Sequence, residues 1–341
     1  MNILITGGAG YIGSHVVKQI IENTDHNVVI IDNLSTGSLK TIKTLNEIHQ
    51  QAGKNTELTF IEADLKDFQM IEGMFKAKKF DVVIHFAASI VVPESVKNPI
   101  KYYMNNTVNT ANLINLCLKY GVNRFIFSST AAVYGQPDEI PVKETTPTQP
   151  INPYGRSKLM SETVLNDVGT ANPEFKYVIL RYFNVAGADL KIRIGQRFPN
   201  ATHLIKVAAE TAVGKRDKMY VFGTDYPTPD GTCIRDYIHV DDLADAHIKS
   251  LEYLTDNNSN IFNCGYGRGY SVLEVINTMK EVSGVDFKVE YTGRREGDPA
   301  ILIADNTKIL NNLNWRPQYD DLKLICKTAL EWEKKLLQEE V

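Results

Sequence analysis

The chain has little that could tie it together covalently. Four cysteines occur in 341 residues, at Cys117, Cys233, Cys264 and Cys326. None forms a C-x-x-C pair, and their wide spacing suits neither a zinc site nor a disulfide framework. Buried, reduced thiols are the expectation. Long hydrophobic runs are also missing. No apolar stretch approaches the ~20 residues needed to span a bilayer. The first residues, Met1–Thr6, run straight into a strand-like segment, without the basic and apolar regions of a signal peptide. Lys plus Arg is 37 and Asp plus Glu is 41, for a net charge of -4. So balanced a chain gives no reason to expect nucleic acid or a membrane surface as partner. The 7 histidines are dispersed, with no metal-ligand spacing, so no metal is expected. A cytoplasmic location follows as the default.

Apolar material for a core is ample, at 43% of residues. Strand candidates are Asn2–Thr6, Asn27–Asp32, Leu58–Glu62, Asp81–Phe86, Arg124–Ser128 and Tyr177–Tyr182. Their centres are nearly continuous Val, Ile and Phe, the pattern of strands covered on both faces. Helical stretches such as Tyr11–Glu22 and Pro99–Tyr120 lie between them. The alternation predicts an α/β fold, a Rossmann-type doubly wound parallel sheet. Beyond Asn184 the texture becomes irregular, then resumes over Val240–Leu254 and Asn260–Cys264. The expected division is a dinucleotide-binding domain of residues 1–185 with about 236–265. A smaller, interleaved C-terminal substrate lobe takes residues 186–235 and 266–341.

The first strand runs into Gly7-Gly8-Ala9-Gly10-Tyr11-Ile12-Gly13. Gly7, Gly10 and Gly13 are spaced for a tight turn, a close approach to a pyrophosphate and close packing of helix on strand. The following helix offers its N–H groups and positive dipole end to phosphates. The next strand ends in Asp32, placed to accept hydrogen bonds from a ribose diol and to repel a 2′-phosphate. No arginine follows at Asn33-Leu34-Ser35-Thr36, which favours NAD over NADP. Asp64, after the third strand, is placed either to hold the adenine or to cap a helix.

Tyr154 and Lys158 stand four apart at the start of a helix and share a face. A phenol is a weak base at neutral pH, and a nearby cation favours its ionised form. Ser128-Ser129-Thr130 ends a strand, where a parallel sheet faces its ligand crevice. Thr130 beside Tyr154 and Lys158 reads as carbinol oxidation: the hydroxyl orients the substrate oxygen, Tyr154 takes the proton and hydride goes to the cofactor.

On these residues the chain resembles the extended short-chain dehydrogenase/reductase family. Within it, Ile3–His15, Leu180–Asn184, Tyr226–Thr232, Arg235–Val240 and Arg294–Asp298 resemble the UDP-glucose 4-epimerases over nearly the whole chain. The resemblance implies tightly bound NAD and reversible C4 epimerisation of UDP-glucose and UDP-galactose through a transient 4-keto sugar. It implies further cofactor contacts at Tyr11, Ile12, Asn33, Leu65, Phe86, Ala87, Asn105, Ser128 and Tyr182. For the UDP-sugar it implies Arg235, Arg295 and Asn184 near the diphosphate and Asp298 on ribose hydroxyls. His203, Leu204 and Phe222 would line the uridine pocket. It also implies a homodimer built on Pro99–Tyr120 and Arg156–Asn166.

Three departures stand out. Ser89-Ile90-Val91-Val92 lacks a lysine that some members place near the cofactor phosphates. His203 stands where many have asparagine. Leu302 occupies the sugar-size gate, where tyrosine restricts the pocket and a small residue admits N-acetylated sugars; some turnover of UDP-N-acetylglucosamine is therefore expected. Two rival readings are weaker. A 4,6-dehydratase needs an acid and a base after Thr130, where this chain has Ala131-Ala132. A non-enzymatic NAD sensor would have no need of the Tyr154–Lys158 pair.

Overall fold

The computed structural model describes residues 1–199, 201–295 and 297–340. Six strands lead the chain: β1 (Asn2–Thr6), β2 (Asn27–Asp32), β3 (Leu58–Glu62), β4 (Val82–His85), β5 (Arg124–Thr130) and β6 (Lys176–Tyr182). With Asn260–Cys264 they form a seven-stranded sheet in the order Asn260–Cys264, β6, β5, β4, β1, β2, β3. β1 pairs in parallel with β2 and with β4, β2 with β3, and β4 with β5. Ile3, Leu4 and Ile5, Val82 to Ile84 and Phe125 to Phe127 are wholly buried. That explains the continuous apolar runs, because helices cover both faces. Strand order reverses direction at β1 and β4, the position where such sheets open a ligand crevice.

The register matters for the site. Thr6 is level with Ile31 and with His85, and His85 with Phe127. One step further, Gly7, Asp32, Phe86 and Ser128 stand in a row along the carboxyl edge.

The expected helix Pro99–Tyr120 is continuous but not uniform. A π-helical segment, Tyr103–Val108, lies between Pro99–Tyr102 and Asn109–Lys119. Such wide turns are commonest at functional sites. The helix carrying Tyr154 is longer than expected and runs Pro153–Ala171. Asn152 caps it by accepting from the Gly155 amide at 2.9 Å.

The chain forms two compact units. The first holds residues 1–133, 150–181 and 244–262; the second holds 134–149, 182–243 and 263–341. This differs from the expected division in two longer segments, and at the edges in residues 182–185 and 263–265, which also group with the second unit. Residues 134–149 group with the second unit, tied there by Tyr134 donating to Asn263 Oδ1 at 2.6 Å and Val142 N to Ile303 O at 2.9 Å. Residues 236–243 group there too, because Ile234–His239 pairs with Asn184–Ala186, Gly269–Ser271 and Ile301–Leu302 rather than with the large sheet. No such pairing is visible in the sequence pattern. All four cysteines are buried and none is in a disulfide. No helix among the described residues is long and apolar enough to cross a membrane.

Candidate active site

The glycine turn is held by backbone geometry. Gly7 has φ +76°, and a Cβ there would lie 2.7 Å from the Ala87 backbone nitrogen. A side chain is therefore excluded on both counts. A methyl group on Gly13 would collide with the Gly7 carbonyl oxygen. The helix Tyr11–Asn23 starts from Gly10 with no side-chain cap. Its first amides are thus not covered by a local side chain, as a phosphate-binding turn requires. Tyr11 and Ile12, the first two helical residues, are half-buried.

Asp32 is buried, and its carboxylate accepts from Ala9 N at 3.0 Å and Leu34 N at 2.8 Å. Burial nevertheless raises its pKa, against the pull of those amides. Two backbone bonds so fix the carboxylate at the strand end, in the place a ribose diol needs. Asn33 donates to Asp64 Oδ2 at 3.0 Å, and Asp64 Oδ1 accepts from Lys66 N at 3.0 Å. Asp64 does not cap a helix. Asp67 does, accepting from Met70 N at 3.1 Å. Leu65 is buried, and Phe86 lies 4.8 Å from His247, ring to ring. The Phe86 and Ala87 amides both donate to Thr6 O, at 2.9 and 3.2 Å, which presses that loop onto Gly7. The turn, the missing side chains and the placed carboxylate fit an adenine dinucleotide.

Asn105 lies in the π-helical segment and donates to Ser89 Oγ at 3.1 Å. Its neighbour Asn106 was not singled out from sequence, yet it is almost fully buried. It accepts from Ser89 N at 2.8 Å and donates to Ser157 Oγ at 3.0 Å. The loop that lacks the lysine is thus tied to the Tyr154 helix by amides rather than by charge.

Tyr154 is buried, with the Thr130 side chain beside its hydroxyl. Burial raises its pKa, and the nearby Thr130 side chain works against the rise. The expectation of a phenol acidified by its lysine is therefore corrected for this structure. The Lys158 ammonium donates to the Ser128 carbonyl at 2.9 Å and lies 4.9 Å from the centre of the Phe127 ring. Burial pushes Lys158 down to about 7, with Glu162 opposing the fall. His85 beneath it is an interior residue. Its ring nitrogens lie 2.6 Å from Thr6 Oγ1 and 2.7 Å from Thr110 Oγ1, and burial pushes its pKa down to about 3.

The second unit carries the other expected residues. Leu302 and Asn184, on strands flanking Ile234–His239, pair with Arg235 and Tyr237 of that strand. Arg235 donates to Asp298 Oδ1 at 2.7 Å, so the two are partners of one another here. The Arg295 guanidinium lies 3.6 Å from the centre of the Phe222 ring, while the residue remains exposed. Its neighbour Arg294 is engaged by Asp225 at 2.7 Å. His203 meets Gln196 at 3.1 Å and precedes Leu204, the first residue of the helix Leu204–Ala212. Tyr182 ends β6, half-buried. Glu296, within the Arg294–Asp298 segment, lies outside the described residues.

Residues 3–265 match the NAD dependent epimerase/dehydratase family. The chain belongs to this family. A UDP-glucose 4-epimerase of Azospirillum brasilense is 49% identical over 339 residues, covering 98% of this chain and 93% of that protein. Among solved structures, the UDP-Glc/GlcNAc 4-epimerase of Campylobacter jejuni is 61% identical, with TM-score 0.85, over 98% of this chain and 99% of that one. The UDP-glucose-4-epimerase of Stenotrophomonas maltophila, solved with bound NAD and formylated UDP-arabinopyranose, is 37% identical with TM-score 0.94 over 99% of each chain. In this epimerase/dehydratase family member Ala131 and Ala132 open a short 3₁₀ turn, Ala131–Tyr134, and neither alanine offers an acid or a base.

Proposed function

We propose that this chain interconverts UDP-glucose and UDP-galactose at C4 of the sugar. The observation that carries the reading is the buried Tyr154 beside Thr130, on one helix face with a Lys158 that is anchored to the Ser128 carbonyl at 2.9 Å. Thr130 orients the sugar 4-hydroxyl, and Tyr154 takes its proton. Bound NAD supplies first the acceptor and then the donor of the hydride. The 4-keto sugar turns over, so that the hydride would return to the opposite face of C4 while Tyr154 gives the proton back to the C4 oxygen. The Lys158 ammonium, steadied by the Ser128 carbonyl, offsets negative charge as it builds on the phenol. Burial keeps water from quenching these steps.

On this reading the second unit holds the nucleotide. Arg295 and Arg235 take the diphosphate, with Asn184 nearby, and Asp298 leaves Arg235 for the ribose hydroxyls. His203, Leu204 and Phe222 hold the uridine. Leu302 at the sugar gate admits N-acetylated sugars in part, and the 61% identity to an epimerase of both sugar types supports this.

The test is incubation of purified protein with UDP-galactose and no added NAD. UDP-glucose is the expected product, and no product overturns the reading.

A homodimer is part of the proposal. Val96, Ile100, Met104 and Met160 are 63%, 67%, 55% and 46% exposed on neighbouring helices, more apolar surface than isolated side chains explain. Ile100→Glu is expected to give monomers by sedimentation; an unchanged dimer removes that face as the interface. Four buried cysteines in thiol form, with no disulfide, support placing the protein in a reducing, cytoplasmic compartment.

A further inference from the structure

Three consecutive residues of β5 meet three residues of the helix Pro153–Ala171 one for one. Thr130 lies beside Tyr154, the Ser128 carbonyl accepts from Lys158 at 2.9 Å, and Ser129 donates to Glu162 at 2.5 Å. Tyr154, Lys158 and Glu162 recur every four residues and so share one face. The first two pairs belong to the proton-transfer group proposed above. The third does not. Glu162 is 1% exposed and buried against Arg181 of β6. Arg181 Nε donates to both carboxylate oxygens, at 3.1 and 3.2 Å, and Nη2 donates to Oε2 at 2.6 Å. A carboxylate with a guanidinium fork on one side and a hydroxyl on the other is locked in place.

We infer that Glu162 is a positioning residue that keeps Lys158 charged, its carboxylate fixed by Ser129 and Arg181 one helical turn from the ammonium. The inference rests on the reading of Lys158 as a cation that serves Tyr154. Burial alone drives a lysine toward its neutral form. The groups facing Lys158 from neighbouring elements do little to prevent this. The Phe127 ring of β5 offers only its π face, at 4.9 Å. His85 of β4 is held neutral by burial. Tyr154 on the same helix is pushed toward its neutral form as well. Arg181 of β6 is a cation, turned to Glu162. Glu162 is the group that raises the lysine's pKa. Ser129 and Arg181 therefore act on the chemistry at one remove, by holding the carboxylate that holds the ammonium.

The experiment compares wild type, Glu162→Gln and Glu162→Asp as NAD-loaded enzymes. Two quantities are read: the descending limb of kcat/KM against pH, and the titration of Lys158 by NMR of protein labelled at lysine ε-carbons, assigned with Lys158→Met. In Glu162→Gln both are expected to move to lower pH by about 1 unit, as for loss of a neighbouring opposite charge. Glu162→Asp, which keeps the charge, is expected to restore most of the shift even where kcat is lower. A purely structural role would lower kcat or stability and leave both titrations in place; that result overturns the inference. If Glu162→Gln does not fold because Arg181 is stranded, Glu162→Gln/Arg181→Gln removes both charges and leaves two amides to bond each other. The same downward shift is expected there, and unmoved titrations overturn the inference. Tyr154→Phe separates the two levels. Full activity in Tyr154→Phe defeats the proton-transfer reading itself, whereas an inactive Tyr154→Phe with an unmoved Glu162→Gln defeats only the role of Glu162.

Discussion

Lys158 donates to the backbone carbonyl of Ser128, two residues before the Thr130 side chain that lies beside Tyr154. The lysine therefore touches the strand and not the phenol. In the proposed mechanism it acts on Tyr154 across one helical turn, and its position is set by a backbone atom that no substitution can remove.

The first prediction concerns that phenol. Tyr154→Phe removes the proton carrier and keeps the ring among its neighbours, including Tyr102 at 6.4 Å. Turnover is expected to fall by roughly 10²–10⁴, the usual contribution of a general base. Thr130→Val should cost less, since it removes orientation and not the proton. NAD content, measured as nucleotide released on denaturation, should stay near wild type in both. Turnover at the wild-type rate in Tyr154→Phe would refute the assignment.

A second prediction follows from the glycine turn. Gly7→Ala places a methyl group 2.7 Å from the Ala87 nitrogen at φ +76°. Either fault alone costs about 1–3 kcal/mol. The purified variant is expected to carry little NAD and to melt below wild type. Near-full NAD occupancy would mean the loop after β4 can move aside.

The parts of this molecule that were legible in the sequence are those set by local pattern. β1 and β2 emerge at their predicted bounds because their apolar runs end in a glycine turn and in Asp32. The Tyr154–Lys158 pair was legible because helix periodicity alone puts both on one face. Glu162 could be placed on that face by the same count, but its partner Arg181 sits on β6, and no local signal joins them. The pairing of Arg235 with Asp298 was hidden for the same reason. The π-helical segment has no signature in Tyr103–Val108, and Asn106 gained its role only through packing against Ser89 and Ser157. Residues 134–149 were misplaced because loops carry no periodicity that reveals what they pack on.

The sugar gate gives a third prediction. Leu302 is buried beside Arg235 in the strand register. Leu302→Tyr adds a ring and a hydroxyl where the N-acetyl group would have to fit. UDP-N-acetylglucosamine turnover is expected to fall at least 10-fold, on the order of the 1–3 kcal/mol that small steric differences yield. UDP-galactose turnover should change much less, and the ratio of the two kcat/KM values is the measurement. An unchanged ratio would place the gate elsewhere.

The last prediction is a pH dependence of stability in the second unit. Asp236 is wholly buried, and burial pushes its pKa up to about 6. Three backbone amides oppose that rise: Tyr266 N at 2.9 Å, Gly267 N at 3.0 Å and Ala304 N at 3.2 Å. In the unfolded chain the carboxyl titrates near 3.8. Between these values the folded protein binds more protons than the unfolded chain, so stability falls as pH rises through the window. Asp236→Asn cannot titrate and loses that slope. Its melting temperature should therefore trail wild type by more at pH 4 than at pH 7, although the lost amide bonds lower it at both. A difference between wild type and Asp236→Asn that stays constant from pH 4 to 7 would mean that the carboxyl is ionised in the folded protein throughout.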